Sequence, residues 1–254
     1  MRLRVRTYGN DGHHTGMRLT RRRALALSDL VPVLAHWRPA LALAQVAGLS
    51  ELVRGGIERD SGGAVTRVFE LPPEIAREVL LRATRTDALP DHYAPNDLVD
   101  VGARGIPSAG RQLLRALVVD DTRALIDDAA VAGAELYVGS GFRSQAAQIS
   151  IFAAQVARWG DAETAARYSA APRHSHHQLG TTLDLTLSFR AFRGSEAPAW
   201  LRENAHRFGF VMPYTAAAAE RTGYVDEPWH ARWVGRALAA RLNAAGYHDW
   251  TDTT

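Results

Sequence analysis

Short segments with a two-residue period, set among segments with a helical period, constrain the fold of this chain more than any other feature. "ELYVGS" (135–140) and "FVMPY" (210–214) read as short strands, and "TTLDLTLSF" (181–189) alternates apolar and polar residues as a strand does. Around them lie helical patterns. Pro72 and Pro73 open "PPEIAREVLLRAT" (72–84). Residues 108–133 place Leu113, Leu114, Leu117, Leu125, Ile126 and Ala129 near the 3.6-residue period of a core-facing helix. Ser144 is a candidate N-cap for "SQAAQISIFAAQVARWG" (144–160), and "PAWLRENAHRFGF" (198–210) contains a helix ending at Gly209. "WHARWVGRALAARLNAAG" (229–246) reads as a terminal helix. Residues 46–85 read as helical pieces around the Gly-rich break "RDSGGA", and "DALPDHYAPNDLVDV" (87–101) as extended or looped chain. Interleaved helices and short strands predict an α+β domain of roughly 170 residues.

Composition narrows the chemistry. The 254 residues suit one domain with an extension, and 46% hydrophobic content supplies a core. There is no cysteine, which excludes disulfides, Cys-ligated zinc and a Cys nucleophile. Any metal must then be held by His, Asp or Glu. The net charge of +3 sits at one end: residues 1–44 carry eight Arg and two Asp, so the remainder is mildly acidic. A nucleic-acid partner is therefore not expected.

Residues 17–45 begin with Arg21, Arg22 and Arg23, continue with mostly apolar residues and end near Ala42-Leu43-Ala44. A basic start, an apolar middle and a small-x-small end are the layout of a secretory signal, and "TRRRAL" resembles the twin-arginine export motif. Asp29, Pro32, His36, Arg38 and Pro39 interrupt the apolar stretch. No run of about 20 apolar residues occurs, so no stable membrane span is expected.

"RHSHHQLGTTLDL" (173–185) puts His174, His176 and His177 within four positions, with Asp184 seven residues on. A catalytic zinc site needs three protein ligands and an open position. This loop and strand offer histidine and aspartate. "DEPWHARW" (226–233) offers Glu227 and His230, three apart and flanking Trp229, which is placed to line a site. One of that pair can bind a metal while the other reaches the water. Residues three apart on a regular strand face opposite sides, but Pro228 cannot donate to a ladder and favours an edge or bulge. A Ser nucleophile in "GSGFRS" lacks the Gly-x-Ser-x-Gly pattern. His206 reads as part of a polar helix face, and Trp200 and Trp233 as core or cleft wall.

"SHHQLGTTLD" resembles the Ser-x-His-x-x-Gly-x-Ala-x-Asp motif of VanY-type D-alanyl-D-alanine carboxypeptidases, and "EPWHARWVG" their Glu-Pro-Trp-His segment. "LPDHYAPNDLV", "GSGFRSQAAQ" and "LRENAHRFGF" match three further blocks in the same order, over about residues 82–245. The resemblance implies a small, mostly antiparallel sheet flanked by helices, of the hedgehog and D-Ala-D-Ala-peptidase kind. It implies one Zn2+ per chain held by His177, Asp184 and His230, with Glu227 as catalytic carboxylate, Arg143 polarising the substrate and Ser175 touching it. His174 and His176 are then expected at the rim or in the loop. Thr182 stands where the family usually has Ala, and Phe142 where Tyr is common. The organisation expected is an export signal over 1–44, a helical extension over 45–81 and a zinc carboxypeptidase domain over 82–254, acting as a monomer. The implied reaction is metal-assisted hydrolysis of peptidoglycan stem peptides ending in D-amino acids. An L,D-carboxypeptidase or an endopeptidase on the same scaffold is the nearest alternative. A non-catalytic cell-wall-binding module is the alternative from another class, but it has no need of Glu227.

Overall fold

The computed structural model describes residues 55–59, 65–186, 192–249 and 251, with the backbone alone for 55–59 and 65–70. The export reading of residues 1–44 and the end of the predicted strand 181–189 lie outside the described residues. In chain order the strands are β1 (Gly55–Arg59), β2 (Val65–Glu70), β3 (Leu98–Asp100), β4 (Leu113–Arg115), β5 (Tyr137–Ser140), β6 (Thr182–Thr186), β7 (Phe210–Val211) and β8 (His230–Trp233). The helices are α1 (Pro73–Val79), α2 (Val119–Val131), α3 (Gln145–Trp159), α4 (Ala162–Ala165), α5 (Ala197–Asn204), α6 (Ala219–Thr222) and α7 (Arg236–Ala244).

The central sheet has the order β5-β6-β8-β7, with every neighbouring pair antiparallel. The alternation in β6 sorts its side chains onto two faces. Leu183 and Leu185 turn to one face, where they join Ala231 and Trp233 of β8 and meet Leu125, Ile126 and Ala129 of α2, Leu201 of α5 and Leu238 of α7 in one buried cluster. Burying each large apolar side chain stabilises the fold by about 1.5–3 kcal/mol relative to leaving it exposed. Asp184 turns to the other face, opposite His230 in the β6–β8 register. The two strands that carry candidate site residues are therefore the two inner strands, clamped from both sides. Asp121, in the first turn of α2, ties this sheet to the helices. Its carboxylate accepts from Trp233 Nε1 at 2.7 Å and from Arg236 Nε at 2.8 Å.

Ser144 caps α3 as expected, its hydroxyl accepting from the Ala147 amide, and Gly209 follows a 3-10 turn after α5 with φ of 85°. Four expectations are corrected. Residues 46–85 are not helical pieces throughout: β1 and β2 pair as an antiparallel hairpin before α1. "VTRVFE" is rich in β-branched and aromatic residues, which suit a strand. The helix predicted across 108–133 begins only at Val119, because Leu113–Arg115 pairs with β3 and Arg115 is buried, ion-paired to Glu78 and Asp97. The terminal helix begins only at Arg236: all four residues of β8 are buried, so that strand shows no polar face in sequence. Pro228 does not sit at a sheet edge. It lies in the turn before the inner strand β8, where the His230 amide donates to the Glu227 carbonyl.

Candidate active site

A tight turn followed by a strand explains how "SHHQLGTTLD" converges on one point. Ser175 caps a 3-10 turn over His176–Leu179, its hydroxyl accepting from the His177 amide, and Gly180 closes the turn with φ of 69° before β6 begins. His177 thereby faces the sheet surface that carries Asp184. Its Nδ1 donates to the Gly141 carbonyl at 2.8 Å, which leaves Nε2 directed at Asp184 Oδ2, 3.3 Å away. From β8, His230 Nδ1 lies 3.2 Å from Asp184 Oδ1. One ligand atom from each of His177, Asp184 and His230 falls within 4.8 Å of the others. Two donors at tetrahedral angles around an ion, each about 2.0–2.1 Å from it, lie about 3.3 Å apart. The observed separations and the two-nitrogen, one-carboxylate donor set fit zinc.

Electrostatics support the cluster. Burial pushes the Asp184 carboxyl upward, but His177 and His230 outweigh it and hold the group well below the ordinary carboxylate range. Glu227 stands 3.5 Å from His230 Nδ1 without belonging to the ligand triad. Burial raises its carboxyl to about 7, against the pull of His230. The carboxyl group that could act as a base is thus the one whose affinity for protons is raised.

All seven expected site residues, Arg143, Ser175, His177, Asp184, Glu227, Trp229 and His230, line one pocket of about 240 Å³. Trp229 forms part of the wall, with the Arg193 guanidinium 4.8 Å over its ring. Tyr168, His176, Tyr214 and Tyr224 also line the pocket and were not expected there. Gln148, one helical turn into α3, was also missed. Its Oε1 accepts from Arg143 Nη1 at 3.0 Å, while its Nε2 donates to the Ala170 carbonyl at 2.6 Å. A buried glutamine on an amphipathic helix gives no sequence signal of what it holds.

His174 and His176 lie in the loop and its 3-10 turn, but neither is at an exposed rim: both are buried. His174 Nδ1 donates to the Thr84 carbonyl at 2.6 Å, and burial lowers its pKa to about 4. The loop is folded back against the domain rather than solvated, so both imidazoles find partners inside. His206 lies in the 3-10 turn after α5, half-buried.

The carbonyl that orients His177 comes from a glycine that no other residue can replace without displacement. A Cβ at Gly141 would collide with the Leu113 backbone carbonyl of β4, the same oxygen that accepts from the Phe142 amide at 2.7 Å. Backbone cannot swing aside as a side chain can. Gly141→Ala should therefore lower stability by about 1–3 kcal/mol, as overpacking does, read as a lower urea midpoint. An unchanged midpoint would show that β4 yields freely.

Residues 111–236 match the family model described as VanY, D-alanyl-D-alanine carboxypeptidase. The protein YodJ of Bacillus subtilis (strain 168) is 32% identical over 171 residues, which is 63% of this chain and 62% of YodJ. The D-alanyl-D-alanine carboxypeptidase of Enterococcus faecalis (strain ATCC 700802 / V583) is 35% identical over 133 residues, 48% of each chain. The chain thus spans about half to three fifths of the length of these relatives. Among solved structures, the LD-carboxypeptidase LdcB superposes with a TM-score of 0.61 at 26% identity, covering 77% of this chain and 92% of LdcB. A vancomycin-resistance D,D-pentapeptidase VanY mutant in complex with Zn(II) superposes with a TM-score of 0.58 at 27% identity, covering 67% of this chain and 96% of that one.

Proposed function

Because this chain belongs to the VanY-type D-alanyl-D-alanine carboxypeptidase family, we propose that it is a zinc peptidase that removes the terminal D-alanine from peptidoglycan stem peptides. The observation that carries this reading is the placing of Glu227, with its raised proton affinity, beside the His177–Asp184–His230 triad rather than within it.

His177, Asp184 and His230 would hold the ion, and zinc bound there supplies a Lewis acid that makes water acidic enough to be a nucleophile near neutral pH. Glu227 takes the proton of the attacking water as the new C–O bond forms, then delivers it to the nitrogen of the departing D-alanine as the peptide C–N bond breaks. Arg143, steadied by Gln148, donates to the oxygen on which negative charge develops. Donors in that role are worth roughly 2.7–4 kcal/mol of barrier. Ser175 and Trp229, each within two residues of a triad histidine in sequence, would contact the peptide from the pocket wall.

An L,D-carboxypeptidase is the second reading, favoured by the wider span over which this chain resembles LdcB. A cell-wall substrate also suits the basic start and Ala42-Leu43-Ala44 end of residues 1–44, which we read as an export leader. Incubation with a synthetic pentapeptide stem should release free D-alanine. Chelation should stop the release and added zinc restore it. Release that survives complete removal of metal would refute the proposal.

A further inference from the structure

We propose that His176 is a positioning residue for the metal site: it takes the hydrogen bond of the outer nitrogen of His230 and so fixes the ring that presents Nδ1 to the ion. The inference rests on the zinc reading above, and concerns a residue to which the three-ligand set gives no task.

His230 and Arg232 are two apart on β8, so both side chains rise from the same face of the sheet. His176 fills the gap between them. Its Nδ1 lies 3.4 Å from His230 Nε2, and its Nε2 lies 3.3 Å from Arg232 Nη1. Tyr214 covers the ring, nearly parallel at 5.2 Å between centroids, with its hydroxyl 3.2 Å from Nδ1 and 3.5 Å from Nε2. The far end of this row is anchored. Arg232 Nη2 donates to the Val79 carbonyl at 3.1 Å and the Leu81 carbonyl at 2.9 Å, and Asp249 Oδ2 stands 3.6 Å from Nη1. The row therefore runs from the end of α1 through Arg232 and His176 to His230 and the pocket.

The chemistry of a histidine ligand gives this row its purpose. A neutral imidazole that offers Nδ1 to a metal carries its proton on Nε2. That N–H is buried here, and the acceptor the structure sets beside it is His176 Nδ1. His176 then carries its own proton on Nε2 and gives it to the Tyr214 hydroxyl, 3.5 Å away; Arg232 Nη1, which can only donate, would in that state give its hydrogen to Asp249 Oδ2, 3.6 Å away, in place of that nitrogen. Partners of this kind fix both the tautomer and the orientation of the ligand, and losing one typically weakens metal binding about 10–100-fold. Adjacent histidines on one turn thus divide the work. His177 would offer its own nitrogen to the ion, and His176 would act on the ion through the ligand from β8.

The test compares His176→Phe, which keeps a flat ring but no acceptor, with His176→Gln, whose amide oxygen can accept. Zinc affinity is measured by competition with a chromophoric chelator, and coordination geometry by the visible absorption of the cobalt-loaded protein. The expected result is about 10–100-fold weaker zinc binding and an altered cobalt spectrum for His176→Phe, with both largely recovered in His176→Gln. Wild-type affinity and spectrum in His176→Phe would overturn the inference. If that variant does not fold, the zinc-loaded wild type decides by NMR: His230 should show Nδ1 bound and a slowly exchanging Nε2–H. A zinc-bound Nε2, or an Nε2–H exchanging freely with water, would overturn it. A wild type that binds no zinc would instead bring down the metal reading on which the inference stands.

Discussion

Glu227→Gln should lower turnover on a stem peptide by about 10²–10⁴-fold, the usual worth of general acid–base assistance, while zinc content stays at one per chain. The substitution keeps the size and shape of the side chain, and the backbone at this position is held independently. The Glu227 amide donates to the Tyr214 carbonyl at 2.8 Å, and the Glu227 carbonyl accepts from the His230 amide at 3.1 Å. What changes is the capacity to take a proton. The ligand triad does not include Glu227, so metal retention and rate loss should separate cleanly. A cell-wall-binding module without catalysis would turn over in neither form and bind equally in both. Equal rates in wild type and Glu227→Gln would refute the proton-transfer role even if zinc were present.

His177→Ala and His230→Ala should each abolish stoichiometric zinc binding. Three protein ligands hold the proposed ion, and two cannot close a site on it. The loss should be sharper than ligand counting alone suggests, because both imidazoles also contact Asp184. Removing either one takes away a partner that keeps that buried carboxylate ionised. Zinc binding to the folded form alone raises apparent stability with the logarithm of its concentration. Wild type should therefore melt higher in added zinc, and the two variants should not. Elemental analysis showing full zinc in both variants would show that the ligands are elsewhere.

Much of this architecture was readable because the side chains announce their surroundings. Helix α3 has a capping serine and a sustained helical period, and β6 alternates, so both appear where the periodicity puts them. The seven pocket residues named from sequence fall in three short blocks, which made them readable as motifs before their convergence was visible. Other elements hide for physical reasons. Leu113, Leu114 and Leu117 satisfy a helical spacing, yet the pairing of β4 with β3 and the ion pairs of Arg115 decide the backbone there. "HARW" is buried on both faces, and a strand without a solvent face has no alternation to read. His176 and Arg232 look like surface residues by type, because only the fold supplies the partners that let a polar group be buried. Gly141 is illegible for a related reason: the need for a missing side chain comes from β4, some 28 residues away in sequence.

The most direct measurement is the mass of the products formed from defined stem peptides. Purified, zinc-loaded protein is incubated separately with a pentapeptide ending in D-alanyl-D-alanine and with the corresponding tetrapeptide. The pentapeptide should lose one D-alanine and stop at the tetrapeptide, which should itself be left intact. Trimming of the tetrapeptide with the pentapeptide untouched would establish the L,D-carboxypeptidase instead, and no change in either peptide would contradict the claim that this pocket is a peptidase site.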